Sequence, residues 1–90
     1  MSQVRASHIL VADLNTAVTL KQKISEGSNF ADLAKQHSTC PSGQNGGDLG
    51  PFGRGMMVKP FEDVASITPI GTVSEPVQTQ FGYHLIKRTA

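Results

Sequence analysis

His8, Cys40 and His84 are the side chains of this sequence whose types and settings best suit chemistry. Each histidine lies inside an apolar stretch, ASHILV and FGYHLI. Strand alternation puts Ala6, His8 and Leu10 on one face of the first stretch, and His84, Ile86 and Arg88 on one face of the last. If these strands are neighbours, the two imidazoles meet and Cys40 is available to join them; the bland reading is a pair of hydrogen-bonded core histidines. Three chemistries use such a set. A Cys–His nucleophile needs a lowered thiol pKa and an oxyanion hole, yet Pro41 removes the backbone donor just after Cys40. Zinc held by His8, Cys40 and His84 would have three ligands, none from the short paired spacing of zinc motifs. A polar cluster at the floor of an apolar pocket needs neither a covalent bond nor a metal.

The elements that must position these residues follow from pattern. Residues 3–11 predict a strand, with Ile9, Leu10 and Val11 as a buried run. Asp13 caps a helix over about 14–26. In it Leu14, Ala17, Val18 and Ile24 fall at helical spacing, Lys21, Lys23 and Glu26 face water, and Gly27 provides the stop. Asn29, with Asp32 three residues on, opens a second helix that turns Phe30, Leu33 and Ala34 inward. Thr39 to Gly55 is rich in glycine, but Leu49, Phe52 and Met57 are too apolar for a solvated spacer. This predicts a compact loop around a short strand near 48–52. Pro60 suits the first turn of a helix to about Ser66, with Phe61, Val64 and Ala65 on one side. Strands around Val73–Val77 and Tyr83–Arg88 complete an α+β domain with a four-stranded, mostly antiparallel sheet.

Composition excludes several classes. Ninety residues make one domain with one modest core, expected to span 1–90. A net charge of +1 gives no general drive toward nucleic acid. No apolar run approaches a membrane span, and no basic-then-apolar leader opens the chain. A single cysteine rules out an internal disulfide framework and predicts a reducing, cytoplasmic setting; the chain is expected to be a monomer.

The segments SHILV at 7–11, FADLA at 30–34, HSTCPSG at 37–43, GGDLGPFGRG at 46–55, KPFEDVA at 59–65 and FGYHLIKR at 81–88 resemble, in order, the signature segments of parvulins, a family of peptidyl-prolyl cis/trans isomerases. The resemblance runs from about Arg5 to Arg88, and as a set these segments are specific. It implies a half-barrel-like sheet of four strands surrounded by four helices, one of them short and within about 41–46. It implies rotation of X-Pro peptide bonds in proline-containing peptides and partly folded proteins, without cofactor or metal. By motif position the catalytic residues implied are His8, Cys40, Thr79 and His84. The walls that hold the proline ring correspond to Leu49, Met57 and Phe61, with Phe52 at an adjacent aromatic position and Phe81 extending the apolar rim.

These residue types suit the reaction. Amide resonance holds the bond planar behind a barrier of ~18–20 kcal/mol, and nothing must be made or broken to cross it. An acceleration of ~10⁴–10⁶ requires the twisted form to be favoured by ~5–8 kcal/mol. A dry pocket helps, because the twisted amide has lost its charge-separated resonance form. The histidines then serve as a hydrogen-bonded pair with Thr79 satisfying a remaining nitrogen, and Cys40 lies near the turning carbonyl in a non-covalent role. Phospho-specific parvulins carry basic residues after the first strand. Here that loop reads Val11-Ala12-Asp13-Leu14-Asn15, with Arg54 and Lys59 at most across the entrance, so no phosphate requirement is expected. No WW-type module is expected in a chain without tryptophan. Lys21, Lys23 and Lys35 form a candidate patch for weak contact with an anionic membrane surface. The alternative function is a proline-peptide binding module or holdase that uses the same groove without accelerating rotation.

Overall fold

Strand β1 (Val4–Val11) runs through the middle of the protein and carries the first histidine. The computed structural model describes residues 3–53 and 55–90; Met1, Ser2 and Arg54, and with Arg54 its expected place at the entrance, lie outside the described residues. After β1 come helices α1 (Leu14–Ser25) and α2 (Phe30–His37), a 3-10 turn (Pro41–Asn45) and β2 (Asp48–Phe52). Helix α3 (Lys59–Ile67), β3 (Val77–Thr79) and β4 (Gly82–Arg88) follow. The sheet has the order β2-β1-β4-β3, and every pairing is antiparallel. Among the described residues, three α-helices and one 3-10 turn therefore stand where four helices were expected, the turn being the short one.

Local chemistry explains the boundaries. Asp13 Oδ2 accepts from the Thr16 amide at 3.2 Å and caps α1, while Asn29 Oδ1 accepts from the Asp32 amide at 3.0 Å and caps α2. Pro60 sits in the first turn of α3, where its missing N–H leaves no intrahelical bond unmade.

Strand alternation divides the core in two. Ile9, Val11 and Leu85 point to one side of the sheet and pack with Ala17 and Leu20 of α1 and Phe30, Leu33 and Ala34 of α2. Ala6 and Ile86 point to the other and pack with Phe52 of β2 and Phe61 and Ala65 of α3.

Three expectations are corrected. Leu14 and Val18 of α1 are 46% and 51% exposed, and Leu20 is buried in their place. The helix meets the sheet along Ala17, Leu20 and Ile24, a tighter stripe than the apolar residues alone suggest. Strand β3 begins at Val77 rather than Val73. Val73 makes only an isolated bridge with Lys87, and Pro76 has no N–H to give a ladder. Ser74 substitutes locally: its amide donates to Ile86 O at 2.8 Å and its hydroxyl accepts from the Ile86 amide at 3.1 Å. Lys21 does not project freely into water. Its Nζ donates to Val73 O at 3.1 Å and lies 3.4 Å from Glu75.

Candidate active site

The pairing of β1 with β4 sets Leu10 opposite His84 and His8 opposite Ile86. The two histidines are thus diagonal neighbours on the α3 side of adjacent strands. Their Nδ1 atoms are 2.9 Å apart and their rings stack at 5.0 Å with a 21° interplanar angle. Both side chains are buried. Phe61, from the first turn of α3, meets both imidazoles nearly edge-on, with centroids at 5.5 and 5.2 Å. Phe52 backs Phe61 at 5.9 Å.

Every ring nitrogen has a partner. His84 Nε2 lies 2.7 Å from Thr79 Oγ1, which also accepts from the Phe81 amide at 3.2 Å. His8 Nε2 lies 3.1 Å from Ser42 Oγ, and Ser42 Oγ lies 3.3 Å from Cys40 Sγ. No buried side-chain nitrogen or oxygen among the described residues lacks a partner. Burial, with the neighbouring His84 as a smaller cause, pushes the His8 pKa down to about 4, and burial also lowers that of His84. Both shifts favour neutral rings at pH 7, and the Nδ1–H to Nδ1 bond needs a bare nitrogen on the accepting one.

The loop that brings Cys40 here is fastened to β1 between the histidine and the strand end. Ser38 Oγ accepts from the Leu10 amide at 3.0 Å, and the Thr39 amide donates to Leu10 O at 2.8 Å. Further on, the Gly47 amide donates to Ser42 O and Gly47 O accepts from the His8 amide, both at 2.9 Å. Gly47 has φ of +85°, and a Cβ there would overlap the His8 carbonyl oxygen. Only glycine fits this close approach.

Above the histidines opens a cleft of about 500 Å³. His8, Cys40, His84, Leu49, Met57, Phe61 and Phe81 line it. Thr79 stands behind His84 and Phe52 behind Phe61, so Phe52 supports a wall instead of forming one: it is 2% exposed, its strand position turning it into the core. Leu10, Thr39, Pro41, Met56 and Val58 also line the cleft, and Ser42 joins its floor; sequence reasoning assigned none of them to the site. Only HSTCPSG, with a hydroxyl two residues past the cysteine, carried a signal for Ser42.

The cleft is mostly apolar, with a neutral, fully hydrogen-bonded polar floor. Such a site can take a proline ring and leave the preceding carbonyl to turn above Cys40, a class of chemistry without bond cleavage. Among the described residues no cluster suits a metal ion, and the two imidazoles spend their lone pairs on each other and on hydroxyls.

Comparison with known proteins agrees. Residues 10–90 match the family described as Rotamase: PPIC-type PPIASE domain. The foldase protein PrsA of a Geobacillus species is 57% identical over 97% of this chain, and that of Bacillus subtilis 50% over the same share. The crystal structure of PrsA from Bacillus anthracis superposes with a TM-score of 0.96 at 47% identity, over 98% of this chain and 41% of that one. The solution structure of NmPin, the parvulin of Nitrosopumilus maritimus, superposes with a TM-score of 0.90 at 44% identity, over 100% of this chain and 98% of that one. The chain belongs to the PPIC-type peptidyl-prolyl isomerase family, the parvulins. It spans about a third of the length of the curated PrsA relatives, 32% and 30% of the two named.

Proposed function

We propose that the protein catalyses cis/trans rotation about X-Pro peptide bonds and so assists the folding of proline-containing chains. The observation that carries this reading is the stacked neutral pair His8–His84, sealed by Phe61 at the base of an apolar cleft. In this reading Leu49, Met57 and Phe61 grip the proline ring, Met57 just before α3 and Phe61 in its first turn. The flexible thioether of Met57 fills the space beside the flat ring. With the ring held, the carbonyl before proline rotates near Cys40. The surroundings favour the twisted amide, whose carbonyl is less polar than that of the planar form. Cys40 acts through polarity and not as a nucleophile; its sulfur is engaged with the Ser42 hydroxyl at 3.3 Å.

The turn between β1 and α1 supports substrates without phosphate. It consists of Ala12 and Asp13 alone, and the Asp13 carboxylate is committed to Thr16. Lys59 pairs with Asp63 on its own helix at 3.3 Å. Apolar rim residues Met56 and Phe81, 66% and 60% exposed, favour an apolar residue beside the proline. The free thiol of Cys40 supports a reducing compartment. The membrane-contact reading keeps Lys23 and Lys35, both exposed, and loses Lys21 to Val73 and Glu75.

The test is NMR exchange between the cis and trans forms of short Ala-Pro and Leu-Pro peptides. Micromolar folded protein is expected to accelerate exchange without added metal. Binding without acceleration would make the cleft a proline-peptide binding module instead.

A further inference from the structure

Ser42 is the one polar residue of the floor that touches both Cys40 and a histidine, at 3.3 and 3.1 Å. Its hydroxyl has a single hydrogen to give. The direction in which that hydrogen points decides where every other proton of the chain sits.

Two directions are possible. In the first, Ser42 donates to Cys40 Sγ and so accepts from His8 Nε2–H. His8 Nδ1 is then a bare acceptor for His84 Nδ1–H, and His84 Nε2 accepts from the Thr79 hydroxyl. Thr79 Oγ1 in turn accepts from the Phe81 amide. Each hydrogen of the chain but the weakly donating S–H of Cys40 meets an acceptor, and each ring nitrogen has one partner. In the second, Cys40 S–H donates to Ser42, Ser42 to His8 Nε2, His8 Nδ1–H to His84 Nδ1, and His84 Nε2–H to Thr79. Thr79 Oγ1 then accepts from both His84 and Phe81, and its own hydrogen has no partner in the chain. An unmet hydroxyl hydrogen in a part-buried site costs more than an unmet thiol hydrogen, the weaker donor, which favours the first direction.

The geometry points to Ser42 as a positioning residue that sets this direction. It holds His8 as the Nε2–H tautomer and His84 as the Nδ1–H tautomer, and it makes the residue-40 side chain the terminal acceptor at the mouth of the cleft. The backbone fixes Ser42 for the task. Ser42 O accepts from the Gly47 amide while Gly47 O accepts from the His8 amide, so Ser42 and His8 are tied through main chain and side chain at once. Gly43 keeps the 3-10 turn tight against α2, where a Cβ would meet Ala34 O at 2.8 Å. The consequence for Cys40 is a sulfur oriented by a donated hydrogen bond, its remaining surface turned to the substrate carbonyl; this last step rests on the isomerase reading of the site.

Imidazole ¹⁵N spectra of the ligand-free protein at pH 7 test the inference without any substrate. Wild type is expected to show the proton on Nε2 of His8 and on Nδ1 of His84. The opposite tautomers in wild type would overturn the inference, whatever the protein's activity. Ser42→Ala is expected to lose the single-tautomer pattern and to slow kcat about ten-fold with KM little changed, the loss of one hydrogen bond at the reacting centre. Ser42→Thr, which keeps the hydroxyl, is expected to restore both pattern and rate. A folded Ser42→Ala protein with wild-type tautomers and wild-type kcat would overturn it. If Ser42→Ala does not fold, the wild-type spectrum and Ser42→Thr decide alone: a folded Ser42→Thr with altered tautomers also overturns it.

Discussion

The two faces of the sheet are built from the same strands and do opposite jobs. On the α1/α2 face Ile9, Val11 and Leu85 join one apolar cluster with Ala17, Leu20, Phe30, Leu33 and Ala34 of the two helices. On the α3 face His8, Leu10 and His84 share the strands with Ala6 and Ile86, and a single short helix covers only part of the surface. The uncovered part is the cleft. Stability is thus concentrated on one side, and on the other a polar floor can be held in a dry environment without a second helix closing over it. The difference comes from alternate residues of two strands. Shifting either strand by one residue would put the histidines among the α1/α2 apolar residues.

Substitutions on the two faces should therefore separate stability from rate. Leu20→Ala, behind the closed face, is expected to cost ~2–5 kcal/mol of stability by leaving a cavity, with kcat per folded molecule unchanged. Denaturant midpoints and exchange rates on the same sample check it; a large fall in kcat would show that the faces are coupled.

Lowering the pH should act on the histidine face alone. His8 has a pKa near 4 in the folded state and the ordinary value of 6.5 when unfolded. Between those values the unfolded chain takes up a proton that the folded one refuses. The His8 contribution is therefore complete above pH 6.5 and lost as pH falls toward 4, by at most ~3 kcal/mol. His84, shifted the same way, adds to the slope. Urea midpoints at pH 7 and pH 5 measure it, and a flat profile would contradict the neutral pair.

Replacing one histidine should harm both properties. His8→Ala and His84→Ala are each expected to cost ~1–3 kcal/mol, because the remaining ring keeps a nitrogen without a partner in a buried site. Exchange should slow as well. Full stability in either variant would mean that the rings do not support each other.

The walls should give the smallest structural effect. Met57→Ala is expected to leave the fold near wild type and raise KM several-fold through lost contact with the ring. On the same cleft, phosphoserine before proline should give no ten-fold gain over leucine, a difference of ~1.4 kcal/mol. Such a gain would place a phosphate-binding base at the entrance.

How much of this was legible depended on whether a residue acts through a repeating pattern or through a local fold. The histidine pair followed from period-two alternation and the adjacency of terminal strands, and Phe30, Leu33 and Ala34 followed from helical spacing. Motif resemblance carried Cys40, Thr79, Leu49, Met57 and Phe61, because the loop geometry that gathers them has no period to read. Ser42 and Pro41 were missed since a 3-10 turn, not a strand or helix, aims them. Phe52 was placed beside the pocket walls by motif position, whereas its strand turns it into the core behind Phe61. Val73 to Pro76 looked like strand by composition, but a proline without a donor moved the pairing to Val77.

The central claim is that the histidine face promotes rotation by a neutral hydrogen-bonded floor with no covalent step at Cys40. Exchange of a Leu-Pro peptide catalysed by Cys40→Asp tests it most directly. A carboxylate at this position can still accept from Ser42, so the account predicts a folded protein that retains substantial activity, with Cys40→Ala slower but measurable. A well-folded Cys40→Asp protein with no catalysis, together with stoichiometric trapping of a reactive thiolate in wild type at neutral pH, would contradict it and make Cys40 a nucleophile.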